Sequence, residues 1–266
     1  FTRAHERVPQ QQVPGFRIPL SLGELFVPEK VRVEETIPLI VHFHGAPWLV
    51  EYNLTKSDRK AALISILVGS GSGAYGRAFE NPSRFDSLLA EASSKLSEKV
   101  GRKTTWSSIT LTAWSAGYGA IRKILSNPID YACVNTVLLL DGLHTDYLTR
   151  GQPDSSFKFV QINPDQMAVF LQLARDAIAG KMEFWILHSE VFPGTYASTT
   201  ETADYILNEV GLKRKPVLRW GPVGMQQLSE VHRGGFHVLG FAGNSAPDHV
   251  DFMHGFREWL KELSLE

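Results

Sequence analysis

Short apolar runs alternate along this chain with amphipathic segments at helical spacing, and that alternation most restricts what it can fold into. Pro38–His44 (PLIVHFH), Ala61–Val68 (AALISILV), Trp106–Trp114, Val137–Leu140 and Met182–His188 (MEFWILH) are rich in apolar residues. Such runs suit strands covered on both faces of a parallel sheet. Arg17–Val27, Val217–Trp220 and Phe236–Phe241 complete the expected strands. Between them, Ser83–Lys99 places Phe85, Leu88, Leu89, Ala92 and Leu96 on one helical face. A second helix runs through Tyr118, Ile121, Ile124 and Leu125. Asn163-Pro164-Asp165 is a helix start carried on by Met167, Phe170, Leu171, Ala174 and Ile178 to Gly180. Ser198 with Glu201 three residues later fits a capping box. A closing helix carries Phe252, Phe256, Trp259, Leu260 and Leu263. Strand–helix alternation of this kind predicts an α/β fold. The expected architecture is a three-layer sandwich: a mostly parallel central sheet, helices on both faces, and no large cap domain. Residues 1–15 (FTRAHERVPQQQVPG) are polar and read as an N-terminal arm, with residues 16–266 forming a single domain.

Composition removes several classes of function. Lys and Arg number 27 against 28 Asp and Glu, a formal net charge of −1, which lacks the basic excess of a nucleic-acid binder. No apolar run approaches the ~18 residues of a membrane-spanning helix. The lone cysteine, Cys133, forms no intramolecular disulfide and no cysteine-rich metal site. The chain begins with Phe1, so a trimmed or processed start is expected, and the compartment stays open between cytoplasm and export. Oligomeric state is likewise left open.

Chemistry in an α/β sheet gathers at strand-to-helix turns. In Ala113-Trp114-Ser115-Ala116-Gly117 a serine follows a buried strand and precedes a helix, with small residues two places before and after it. That is the nucleophile-elbow pattern, with alanine at the usual first glycine. The turn is tight enough to strain the serine and to exclude bulky neighbours, and it presents Oγ at a helix N-terminus. The bland reading of Ser115 is a helix cap. At the end of an earlier strand stands His42-Phe43-His44-Gly45-Ala46-Pro47-Trp48. An acyl-transfer serine needs two amide donors for the developing oxyanion. The N–H of Ala116 is one candidate and that of Ala46 the other, since Pro47 has none.

Together, His44-Gly45-Ala46-Pro47 and Ala113-Trp114-Ser115-Ala116-Gly117 resemble the oxyanion loop and elbow of the α/β-hydrolase superfamily, over roughly Pro38 to Leu263. The resemblance implies the order oxyanion loop, serine, acid, histidine. His249, between the last strand and the closing helix, is then the expected base, in an irregular loop; His254 is a lesser candidate, and His237, at the start of a strand, reads as structural. For the acid, Asp141 at the end of the strand VLLLD is favoured, with Glu190 as the alternative and Asp146 behind it. The alternative role for Asp141 is a loop brace.

Gly69-Ser70-Gly71-Ser72-Gly73 lacks the Gly-Lys-Ser/Thr ending of a phosphate loop and reads as a flexible loop bordering the site. His42 and His44 are spaced like metal ligands, but two histidines at a strand end do not make up a ligand set, so no metal site is assigned and no cofactor expected. The polar stretch HTDYLTRGQPDSSFKFVQI, between Asp141 and Asn163, is expected to rim the site. Trp48, Trp114 and Tyr118 are the expected substrate-contacting aromatics, with Tyr52 and Tyr147 near them. Cys133 lies away from every proposed role. These residues point to a serine hydrolase cleaving a small carboxylic ester through Ser115, His249 and Asp141. A peptidase or amidase using the same residues is one alternative, and a non-catalytic binding protein of the same fold is the other.

Overall fold

A computed structural model describes residues 7–148 and 161–265. The elements run β1 (Gly15–Pro19), β2 (Glu24–Pro28), β3 (Thr36–Phe43), α1 (Pro47–Ser57), β4 (Ala62–Ile66), α2 (Ser72–Ala78), α3 (Arg84–Val100) and β5 (Thr105–Trp114). They continue with α4 (Tyr118–Leu125), α5 (Pro128–Cys133), β6 (Thr136–Leu140), α6 (Pro164–Ile178), β7 (Glu183–His188) and α7 (Thr199–Glu209). The last are β8 (Lys215–Trp220), β9 (Gln226–Arg233), β10 (Phe236–Phe241), α8 (Ala246–His254) and α9 (Phe256–Glu262). All strands join one sheet, ordered β1-β2-β4-β3-β5-β6-β7-β10-β9-β8. From β4 to β10 neighbouring strands are parallel, and antiparallel pairs extend both ends of that run. No helix of the described residues is long and apolar enough to cross a membrane.

The apolar runs earn their place by filling both faces. Leu39, Val41 and Phe43 of β3 and Val137 and Leu139 of β6 point into one core, with Phe85, Ile121, Phe170 and Ile206 of α3, α4, α6 and α7. The alternate residues Ile40, Leu138 and Leu140 point into the other, against Leu49, Phe252 and Trp259 of α1, α8 and α9. This two-sided burial is why these strands lack polar alternation. The sheet is therefore the three-layer α/β arrangement anticipated from the sequence.

Several elements differ from their sequence reading. Arg17–Val27 is not one strand but the hairpin β1–β2: Leu20 N–H closes on the Gly23 carbonyl at 3.1 Å, and Gly23 takes φ 80°, which glycine adopts without strain. The closing helix is two helices, broken at Gly255, where an added Cβ would lie 2.7 Å from Pro222 Cβ. His249 sits in the first turns of α8 rather than in a loop, its N–H bonded to the Ser245 carbonyl at 3.1 Å. The Gly/Ser stretch continues directly into α2, which, like α1, α5 and β9, lies outside the expected elements, although α5 opens on Asn127-Pro128, the same kind of start as Asn163-Pro164 of α6. Of the arm, residues 1–6 lie outside the described residues. Its remainder runs across the α8 side, with Val8 N–H on His254 Nδ1 at 3.1 Å and Val13 buried. Of the expected site rim, residues 149–160 lie outside the described residues.

Candidate active site

β5 ends at Trp114, and a single 3-10 turn, Ser115–Gly117, carries the chain into α4. Ser115 takes φ 49°, a left-handed conformation that is costly for a residue with a Cβ. The packing around it explains the small neighbours. A Cβ on Gly117 would stand 2.1 Å from the Phe43 carbonyl oxygen, and one on Gly142 2.3 Å from that of Ser115. Ala113 is fully buried in the sheet, where its methyl is accommodated.

Asp141 follows β6 directly and is buried. Its Oδ2 accepts from His249 Nδ1–H and from the Ser189 hydroxyl, each at 2.7 Å, and its Oδ1 accepts the Ser189 N–H at 2.7 Å. Burial pushes its carboxyl pKa up, but the His249 and Ser189 hydrogen bonds together outweigh that and hold it below the usual range. His249 is fixed from a second side: its ring stacks on Trp114 with centroids 4.7 Å apart, and its carbonyl accepts Trp114 Nε1–H at 3.0 Å. With Nδ1–H committed to Asp141, Nε2 is the nitrogen left to accept a proton. Trp114 precedes Ser115 and Gly142 follows Asp141, so serine, histidine and carboxylate gather at the ends of β5 and β6. Glu190 is elsewhere, its Oε2 on Gly243 N–H at 3.4 Å, and Asp146 is held by Gln166 Nε2 at 2.9 Å. Ser189, one residue before Glu190, escaped the sequence reading although it sits at the same strand end.

The loop after β3 is braced from below. His44 and Gly45 take φ 70° and 110°, turning the chain toward Ala46, which caps α1. His42 Nε2–H donates to the His44 carbonyl at 2.6 Å while Nδ1 accepts from Thr112 Oγ1 at 2.8 Å. Burial pushes its pKa down to about 3, so it is a neutral strut. The His44 ring stacks on Trp114 and bonds the Tyr75 hydroxyl at 2.8 Å; the two histidines diverge because β3 ends at Phe43 and the chain turns at His44, φ 70°. Ala46 N–H makes no hydrogen bond among the described residues. Ala116 N–H lies in the first turn after Ser115, where amides lack intrahelical partners.

A cavity of about 300 Å³ opens beside Ser115 and Ala116. Tyr118 lines it, its hydroxyl 3.2 Å from Ser72 Oγ. His144 lines it too, held between Tyr118 and Tyr196 and donating Nδ1–H to the Ala197 carbonyl at 2.9 Å. Burial pushes the His144 pKa down. Ser70, Gly71 and Ser72 border this cavity, as the Gly/Ser stretch was expected to do. Trp114 instead clamps the imidazoles, and Trp48 packs half-buried against the α1 core, so neither lines the cavity. Arg122 and Gln166 do line it; they sit on helix faces that carry no motif.

No protein-family model matches the sequence, and no curated protein matches it. Solved structures do. The chain is similar to poly(aspartic acid) hydrolase-1 from Sphingomonas sp. KT-1, at 8% identity over 96% of this chain and 100% of that one, with a TM-score of 0.52. It is also similar to the enterobactin esterase FES from Shigella flexneri, at 10% identity over 97% of this chain and 61% of that one, with a TM-score of 0.51. With the sheet order and elbow already described, these likenesses identify the α/β-hydrolase fold.

Proposed function

We propose that this α/β-hydrolase-fold protein is a serine hydrolase that cleaves a small carboxylic ester through a covalent acyl-enzyme. The observation that carries the reading is the Asp141–His249 hydrogen bond of 2.7 Å, at the same sheet edge as a serine held at φ 49°. A structural serine has no need of a strained backbone next to the tryptophan on which a carboxylate-oriented imidazole stacks. Ser115 Oγ attacks the carbonyl carbon while His249 Nε2 takes its proton. Asp141 fixes the imidazole tautomer and answers the imidazolium charge. The amides of Ala46 and Ala116 receive the oxyanion. Collapse expels the alcohol with the proton from His249, and water then attacks the acyl-enzyme by the same proton path to release the acid.

A fluorophosphonate probe followed by peptide mapping tests this reading. Labelling is expected at Ser115 and is expected to vanish in Ser115→Ala and His249→Gln, along with turnover of short 4-nitrophenyl esters. Full ester turnover by Ser115→Ala would falsify it, and so would an unlabelled, inactive wild type, the result a binding protein gives. Matched ester and anilide substrates place the enzyme between esterase and amidase.

A further inference from the structure

We propose that the cavity beside Ser115 takes a substrate bearing a carboxylate and that Arg122 is the residue that binds it; this rests on the acyl-transfer reading above. Tyr118 and Arg122 are four residues apart on α4, on one helix face, and both line the cavity together with Ser115 and Ala116. The guanidinium stands over the Tyr118 ring, 5.6 Å from its centroid, which orients the planar group. Its only hydrogen bond to a described residue is a long one, Nη1 to Gln166 Oε1 at 3.4 Å. It forms no ion pair with any described residue, whereas the partly buried Arg17 and Arg214 are paired with Glu51 and Asp204. Most of its five donors are therefore free for a ligand.

Asp146 lines the same cavity and, among the described residues that line it, is the one group that would oppose an anion. It is exposed, and its carboxylate is engaged by Gln166 Nε2 at 2.9 Å. Gln166 Oε1 in turn accepts from Thr145 Oγ1 at 2.7 Å and from Asp146 N–H at 3.0 Å. The amide thus spaces Arg122 from Asp146 and leaves the guanidinium unneutralised. A phosphate dianion would meet a single cation with a carboxylate nearby, while a carboxylate matches the guanidinium fork in both charge and shape. The hydroxyl- and amide-rich wall disfavours a long acyl chain, and about 300 Å³ is at the small end of ligand pockets.

The test compares charged and neutral esters on both sides of the scissile bond. Mono-4-nitrophenyl glutarate is set against 4-nitrophenyl pentanoate, and 4-acetoxybenzoate against phenyl acetate, in wild type, Arg122→Gln and Arg122→Lys. In one pair, the ratio of kcat/KM for the charged over the neutral ester is expected to be roughly 10- to 100-fold higher in wild type than in Arg122→Gln, the effect of one charged hydrogen-bonded pair. Arg122→Lys should recover part of it, and added salt should lower it in wild type. Equal ratios in wild type and Arg122→Gln for both pairs overturn the carboxylate proposal and leave Ser115 hydrolysis standing. Should Arg122→Gln not fold, a wild-type ratio indifferent to salt and to Arg122→Lys overturns it equally. If Ser115→Ala turns over every ester like wild type, the hydrolase reading and this proposal fall together.

Discussion

Asp141 concentrates the chemistry of the candidate site in one side chain. Three donors converge on its two oxygens, two of them from Ser189, so the carboxylate stays ionised although buried. Replacing it with asparagine keeps the shape but favours the wrong imidazole tautomer. On the proposed mechanism, Asp141→Asn should lower kcat by about 10³- to 10⁴-fold. Ester turnover and a melting curve on the same preparation check this, because unchanged melting with unchanged kcat would remove Asp141 from catalysis. Gly142 makes a second residue-scale demand. Its neighbour is the Ser115 backbone itself, 2.3 Å from where a Cβ would stand. Gly142→Ala is therefore expected to displace the elbow and to cost both fluorophosphonate labelling rate and stability, whereas the same change at Gly180, which has open space but φ 74°, should cost some stability through its left-handed backbone and leave the labelling rate unchanged.

The elements matter here for how they end. α7 opens on a complete capping box, with Ser198 Oγ accepting Glu201 N–H at 3.2 Å and Glu201 Oε2 accepting Ser198 N–H at 2.7 Å. Ser198→Ala should lower stability by about 1 kcal/mol, seen as a Tm lower by roughly 2–4 °C. Glu201 also accepts the Tyr147 hydroxyl at 2.9 Å, so the cap ties the start of α7 to the chain that leaves β6. Caps, apolar strands and the elbow were legible because each depends on neighbours in sequence. The β1–β2 hairpin was not, because the apolar pattern runs through both strands and only the Gly23 turn separates them. β9 (QQLSEVHR) was hidden by polar residues, for its partners β8 and β10 satisfy its backbone whatever its side chains.

At the scale of the whole molecule, the sheet holds histidines that cannot easily be charged. Burial, the larger cause, pushes His188 down to about 4, helped by the Arg214 guanidinium on its Nε2 at 2.8 Å; burial pushes His42 down to about 3. In the unfolded chain both take a proton near 6.5. Between that pH and the folded values the unfolded state binds more protons, so stability falls as pH falls, by up to about 1.4 kcal/mol per pH unit for each histidine. Asp141 adds a loss at lower pH: its stabilisation is complete above the unfolded carboxylate value and disappears as pH falls through its depressed folded one. Denaturant unfolding at pH 7, 5.5 and 4.5 should show the decline, flattened in His42→Asn. Equal stability across that range contradicts it.

What the amino-acid sequence determined by itself was local: strand and helix periods, the caps, and the steric conditions for a serine elbow and a glycine-containing loop. Those features are written within a few residues of one another, and they were enough for the fold class and for naming Ser115; His249 and Asp141 became candidates only through the order of oxyanion loop, serine, acid and histidine that the resemblance implies. Which carboxylate meets the imidazole was decided only in three dimensions. Asp141 and Glu190 both follow strands of the sheet, and nothing near either in sequence says where His249 Nδ1 points. That depends on α8 packing beneath Trp114 and on Ser189 holding Asp141 from the neighbouring strand end. The cavity is the same kind of outcome: Arg122 and Gln166 come from helices 44 residues apart and meet because both pack on one face of the sheet.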